Sequence, residues 1–413
     1  MAEDEDKARI YLERSKSSPI SLSLYRRCDE FSHDPFFQIT PLVVGRLKSL
    51  SIEGTPNNLQ QIATRLSHPA PLLEYMSISG SCEHVVGYPR LSPVLFNGDL
   101  SSLRDLYLEA VCTGLPWRGM ANLTSFTLDR IPPGVISITQ FLDFLESAPH
   151  LSEIGIYSTT PTPVVQNARS VSLACLKRME IDDSGPPSVF LDHLLIPVGA
   201  ELVLEADLLS SLVGDFFPRS LDNLRNLSNF TALKLIVNIS CPYMTFNGPN
   251  GRVTVVPTVP QGHETRLVFG SIAQLDTSRT ERFRIGNGNI LSRDVVHQAL
   301  LPLRELRVLI LCGCYNLCIF IHALRPGTSS QEVMVCPKLE ELVLILRDGR
   351  EEGIDIKWIT EMAEARASRG KKLKAVRITD SWNTPNPEDM LELGKHVGHV
   401  EYGPYAGESN DDW

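Results

Sequence analysis

Three short stretches carry side-chain types able to do chemistry. Cys312-Gly-Cys314-Tyr-Asn-Leu-Cys318 places three thiols at C-x-C-x3-C spacing, the beginning of a soft metal site. A structural zinc takes four ligands, commonly from C-x2-C pairs, and neither a His nor a fourth Cys lies in register, so these read as structural thiols. His396-Val-Gly-His399 sets two imidazoles three residues apart. Without an adjoining Glu and a third ligand, the pair reads as a helix end. Ile285-Gly-Asn-Gly-Asn-Ile290 offers glycines to a phosphate loop but lacks a third Gly and a following Lys-Ser/Thr, and a turn is the better reading. No Gly-x-Ser-x-Gly elbow and no His-Glu-x-x-His occurs, and the carboxylates make no pair assignable to one site. The sequence therefore predicts no catalytic residue, no cofactor and no metal, and a protein that is not an enzyme.

The remaining chemistry belongs to a surface. Tyr75, Arg104, Asp105, Tyr107, Lys177, Arg178, Glu180, Glu340, Glu341, Lys374 and Arg377 recur beside apolar positions, with charges of both signs alternating with tyrosines. Tyr and Arg are favoured binding anchors. Such a face suits a protein or peptide partner better than a polyanion.

The element that positions these residues is a repeated phrase, Leu-x-x-Leu-x-Leu. Its cleanest copy is Leu306-x-x-Leu309-x-Leu311-x-x-Cys314-x-x-Leu317, and relatives start at Leu47, Leu73, Leu103, Leu123, Leu151, Leu176, Leu339 and Leu373. Apolar residues at i, i+3 and i+5 fit a short strand entered from a turn, the unit of a leucine-rich-repeat solenoid. The second and third point into the core and the first sits in the turn. After the strand a side chain must satisfy buried backbone groups; this chain offers Thr55, Ser81, Thr159, Ser184, Cys314 and Ser381 where Asn or Cys is usual. The predicted fold is α/β: an irregular horseshoe with parallel strands on the concave face, carrying the charged and tyrosine positions, and helices or turns on the convex face.

Along the chain, residues 1–18 read as a polar segment, residues 19–402 as the repeat array, and 403–413 as a polar tail. Helices are predicted over 58–66, 138–147, 189–196, 356–369 and 387–396, the fourth with Ile356, Ile359, Ala363 and Ala367 inward and Gly370 as its stop. The rhythm breaks at about 240–290, where strands over 233–239, 252–259, 266–269 and 282–285 and the turn Phe246-Asn-Gly-Pro-Asn-Gly251 predict a β-hairpin-rich insertion or a deformed pair of repeats. Val397-x-x-Val400-x-Tyr402 predicts a last degenerate strand.

Composition narrows the partners. The 413 residues carry a net charge of −10, and nucleic acids and anionic membranes reward a basic surface instead. The acidic, polar start is no secretory signal, and no apolar run reaches the roughly 18 residues of a membrane span. Nine scattered cysteines then read as reduced thiols of a cytoplasmic or nuclear protein.

The chain resembles the F-box/leucine-rich-repeat-like proteins of mushroom-forming fungi. The segments that carry the likeness are Tyr11-Leu-Glu-Arg-Ser-Lys-Ser-Ser-Pro-Ile20, Asn97-Gly-Asp-Leu-Ser-Ser-Leu103, Phe246-Asn-Gly-Pro-Asn-Gly251, and Glu361-Met-Ala-Glu-Ala-Arg-Ala-Ser-Arg-Gly370 with its continuation to Ile378. They are scaffold phrases, and the likeness spans nearly the whole chain. The resemblance implies that the repeats present a substrate while an N-terminal F-box docks on the adaptor of an SCF-type ubiquitin ligase. An F-box would precede Tyr11, where only ten acidic and polar residues stand, so the chain resembles the repeat half of the family. An SCF adaptor is a partner only if an F-box lies upstream. The alternative is a stand-alone leucine-rich-repeat scaffold with no ubiquitin role.

Overall fold

Two apolar residues spaced by one send their side chains to the same face of a strand, which is what the repeated phrase demands. The computed structural model has such a strand at every copy of the phrase. It describes residues 2–25, 43–80, 88–91, 95–113, 120–162, 169–182, 186–207, 217–218, 223–225, 230–236, 243–258, 272, 277–286, 292–314, 316–327, 333–346, 355–379 and 385–403. The fold is mixed α/β, built on mostly parallel strands. It divides into two compact units, the first comprising Met1–Ala200 with Pro218–Leu224, the second Glu201–Phe217 with Arg225–Trp413.

In the first unit, seven parallel strands follow one another in sequence order: β1 (Ile20–Tyr25), β2 (Leu47–Gly54), β3 (Tyr75–Gly80), β4 (Asp105–Glu109), β5 (Ser125–Asp129), β6 (Glu153–Tyr157) and β7 (Arg178–Asp182). Leu106/Leu108, Phe126/Leu128, Ile154/Ile156 and Met179/Ile181 are buried in step, and Leu73, Leu103, Leu123, Leu151 and Leu176 fill the turns before their strands. Each buried leucine contributes about 1.5–3 kcal/mol, but only by stacking on the next repeat. The first leucine of the earliest copy, Leu47, lies inside its strand instead. The polar start forms a helix, α1 (Ala2–Ser15). Two more cover the repeats, α2 (Pro56–Arg65) and α3 (Ile138–Ser147). Ser137 closes the latter with a capping box to Gln140, and Phe144 packs on Phe126 of β5 with ring centroids 4.3 Å apart. The helix predicted over 189–196 is a single turn, α4 (Ser188–Leu191), because Leu194–Leu195 pairs with Val171–Ser172 as a short ladder.

The second unit orders its strands β8 (Glu201–Asp207), β11 (Gly251–Thr258), β10 (Tyr243–Gly248), β9 (Ala232–Ile236), β12 (Arg282–Gly286), β13 (Val308–Cys312), β14 (Glu341–Ile345), β15 (Ala375–Thr379) and β16 (His399–Gly403). The stretch where the rhythm breaks holds the predicted hairpin: β10 runs antiparallel to both β9 and β11, with Gly251 at φ +127 closing the turn. The strand predicted over 266–269 lies outside the described residues. Strand β8 escapes the sequence pattern because Glu201-Leu-Val-Leu-Glu lacks the leading leucine. From β13 onward each connection carries a helix: α5 (Arg293–Leu300) precedes it, and α6 (Leu317–Leu324), α7 (Ile356–Ser368) and α8 (Pro387–His396) follow. They pack one on the next. Neither α5 nor α6 is expected from the sequence; α6 is apolar nearly all round, and such a run shows no helical period. In α7 Arg366, rather than Ala367, faces the core.

Candidate functional site

Strand alternation sends the residues between the buried ones to the opposite face. In the first unit the strand registers align them in three rows. The first is Ser21, Ser49, Tyr75, Asp105, Ser125, Glu153, Arg178. The middle is Ser23, Ser51, Ser77, Tyr107, Thr127, Gly155, Glu180. The third is Tyr25, Glu53, Ser79, Glu109, Asp129, Tyr157, Asp182. Carboxylates far outnumber the one cation of these rows, Arg178, and the remaining positions are tyrosine or small.

Polar side chains on this face hold one another. The Tyr107 hydroxyl donates to Asp129 Oδ2 at 3.1 Å and the Ser79 hydroxyl to Glu109 Oε2 at 2.6 Å. Arg178 Nη2 lies 3.3 Å from Glu180 Oε2. Arg130, one residue past β5, pairs with Glu109 and lies 3.7 Å from Asp129. Burial, with Asp129 beside it, pushes the Tyr107 phenol up to about 12. Burial, with Glu180 beside it, does the same for Tyr157. Burial raises Asp105, and Glu153 raises it further; burial raises Asp129, with Asp182 adding to it. Gly155 makes room for the Tyr157 ring, since a Cβ there would lie 2.7 Å from the ring edge and 3.2 Å from Thr127 Oγ1.

Of the residues predicted to share one surface, Tyr75, Asp105, Tyr107, Arg178 and Glu180 stand together in these rows. Arg104 and Lys177 do not: each is the residue before its strand. There they belong to an edge ladder in which Glu74, Arg104, Thr124, Ser152 and Lys177 each donate a backbone N–H to the preceding member's carbonyl, starting from Lys48. Beside this edge Glu74, Ser102, Arg104, Asn122, Thr124 and His150 line a shallow polar cleft of about 410 Å³. Its Ser102, Asn122 and Thr124 side chains are turned onto backbone carbonyls.

The second unit shows the same division. Glu341 and Arg377 lie on the face opposite the core, Arg377 Nε being 3.1 Å from Glu341 and 3.3 Å from Glu401. Glu340 and Lys374 lie on the edge, 2.9 Å apart, and Lys374 holds the Glu340 carboxyl below its usual range. Around β13 and β14 this face is apolar: Ile310, Cys312 and Ile345 are buried and Val308 and Val343 pack against them.

Glu53, Glu109, Glu153, Asp129, Tyr157 and Asp182 were not among the expected surface residues. All but Glu153 follow the third apolar residue of a repeat directly, so extending the alternation by one step would have found them. Two of the post-strand residues satisfy backbone groups as expected: Cys314 Sγ donates to the Ile285 carbonyl at 3.7 Å, and Thr159 Oγ1 accepts from the Ile131 N–H at 3.1 Å; the Thr55 side chain makes no cap bond to the helix that follows it. Ser81, Ser184 and Ser381 lie outside the described residues, as does most of 285–290. Among the described residues no group of three His, Cys, Asp or Glu is arranged to hold a metal ion, and no helix is long and apolar enough to cross a membrane. No protein-family model matches the chain, and no curated protein matches it.

Proposed function

We propose that the chain is a leucine-rich-repeat solenoid whose open sheet face binds a protein or peptide partner, in the manner of the substrate-recognition half of an F-box-type SCF ubiquitin ligase subunit. The observation that supports binding is the exposed side of β1–β7: tyrosines and charges in three registered rows over a floor of Ser, Thr and Gly. A parallel sheet of stacked repeats presents a broad rigid platform, the surface such arrays use for partners. No paired acid and base, nucleophile or metal cluster among the described residues favours catalysis. The ligase role rests on the resemblance of the scaffold segments. Adaptor recruitment would come through an F-box supplied upstream of this sequence.

Cross-linking of tagged chain in fungal lysate, with the sites mapped by mass spectrometry, tests the reading. Cross-links clustered on β3–β7, lost on Tyr107→Ala/Arg178→Ala, support it. Unchanged partner recovery by that variant moves the site elsewhere. Co-purification of an SCF adaptor with the gene's longest product supports the ligase role; its absence leaves the stand-alone scaffold.

A further inference from the structure

We propose, resting on the partner-binding reading above, that the open face of the first unit recognises an extended cationic segment of its protein partner, one Arg or Lys head group seating over Ser125 between Asp105 and Glu153 and beside Tyr75. The first row fixes the geometry. Asp105, Ser125 and Glu153 are register partners on β4, β5 and β6, and adjacent strands lie about 4.8 Å apart. The backbones that carry the two carboxylates therefore flank a short serine about 10 Å apart, and a cation seated over the serine lies roughly 5 Å from each flanking strand. Tyr75, the next residue in the row, is 39% exposed, so its ring face is open to a guanidinium or ammonium.

Charge complementarity argues for this occupant. Among the described residues neither Asp105 nor Glu153 forms an ion pair; the nearby Arg178 is turned to Glu180 and Arg130 to Glu109. Like charges across a sheet repel, and Glu153 makes Asp105 harder to ionise. A cation from outside relieves that repulsion, and an anion adds to it. The fold supplies its own precedent four residues along the same strands, where the Arg130 guanidinium reaches carboxylates of neighbouring strands, Glu109 and Asp129. The first row repeats the paired carboxylates; its own guanidinium, Arg178, stands on the far side of Glu153 and is turned to Glu180, so none of the row's cations sits between Asp105 and Glu153.

The test uses the full chain and a fluorescein-labelled peptide, Gly-Ser-Arg-Ser-Gly-Ser-Arg-Ser-Gly, with a citrulline counterpart of equal shape and no charge. Fluorescence anisotropy is read for the wild type, for Asp105→Asn/Glu153→Gln, and for Glu388→Gln/Asp389→Asn, which changes net charge equally on α8 of the second unit. The arginine peptide is expected to bind, and to bind about tenfold or more weakly after citrulline replacement or after D105N/E153Q. The helix control should stay within about twofold, since it changes the net charge without touching the residues of the seat. No arginine-peptide binding, equal citrulline binding, or equal loss in the control overturns the proposal. D105N/E153Q removes a repulsion, so an unfolding midpoint at or above wild type shows that the loss is not unfolding. If Tyr107→Ala/Arg178→Ala abolishes cellular cross-links while the arginine peptide does not bind, the face remains the partner site and the cation seat falls. If neither responds, both readings fall.

Discussion

Thr159 Oγ1 lies 3.1 Å from the backbone nitrogen of Ile131, 28 residues earlier, and accepts its hydrogen bond while donating to the Tyr157 carbonyl at 2.8 Å. The threonine is 2% exposed. One hydroxyl thus satisfies the buried Ile131 N–H and adds a second bond to the Tyr157 carbonyl, which also accepts from the Arg130 N–H at 2.9 Å. Thr159→Val keeps the shape and removes both bonds, and is expected to cost about 1–3 kcal/mol. Thr159→Ser keeps them and should cost less. Urea midpoints at unchanged slope decide the matter; a valine variant as stable as the serine one would show that the hydroxyl is dispensable.

Two glycines of the sheet, Gly80 on β3 and Gly155 on β6, should respond differently to alanine. A Cβ on Gly80 would lie 2.4 Å from the Ala110 carbonyl oxygen, which is backbone and cannot turn aside. A Cβ on Gly155 meets mainly the Tyr157 ring, which can swing. Gly80→Ala is expected to cost about 1–3 kcal/mol and Gly155→Ala less than about 1 kcal/mol. The second variant should still disturb the open face, because displacing Tyr157 alters its contact with Glu180. Thermal unfolding measures the first difference and tyrosine fluorescence the second.

These positions also mark how far the sequence could be read. Strand placement is legible because the second and third apolar residues of each phrase must share a face, so β3–β7 and β13–β15 fall where expected. Helices α3, α7 and α8 are legible from periodicity and capping residues such as Ser137 and Asn386. What is not legible depends on contacts distant in sequence. That Arg104 stands on the edge while Asp105 stands on the face is set by where the turn hands over to the strand, one residue that no composition reveals. That the face is acidic in the first unit and apolar around Ile310 in the second emerges only when registers are known.

Stability should respond to pH with opposite signs at two carboxylate sites. Asp105 has its folded pKa raised, chiefly by burial and then by Glu153. The native state then holds its proton more tightly than the unfolded chain, so ionisation opposes folding. That opposition is absent below the ordinary value of 3.8, develops as pH rises through the raised folded value, and is constant above it. Glu340 is lowered by its bond from Lys374; its contribution is present above the ordinary value and is lost as pH falls through the depressed one. Asp105→Asn should therefore stabilise the chain near neutral pH and make no difference in strong acid. Glu340→Gln should weaken it slightly near neutrality, with no difference in strong acid. Denaturation midpoints of both variants across pH 3 to 7 (roughly the carboxylate range) test the signs; a stabilisation by Asp105→Asn that grows toward acid would refute the assignment.

Arg366 is fully buried on α7 and turns its guanidinium onto three backbone carbonyls, those of Leu324, Val335 and Cys336, at 3.3, 3.1 and 2.7 Å. The last two belong to the segment leading into β14, whose Cys336 has φ +47 and a thiol that donates to the Leu300 carbonyl at 3.5 Å. Burial pushes that thiol up to about 12, so it is an unreactive thiol in the intact fold. The arginine thereby fastens a segment whose carbonyls have no strand to bond. Arg366→Met fills the space but removes the guanidinium from all three carbonyls, leaving that of Cys336 only the Leu339 N–H, and is expected to cost about 2–5 kcal/mol. Arg366→Lys keeps the charge without the planar fork, cannot reach all three, and should recover only part of the loss. Releasing the segment should also expose Cys336. Timed alkylation with iodoacetamide, mapped by mass spectrometry, should label exposed Cys175 quickly in every variant and Cys336 only in the Arg366 variants. Equal protection of Cys336 in R366M and wild type would show that the segment is held by something other than this guanidinium.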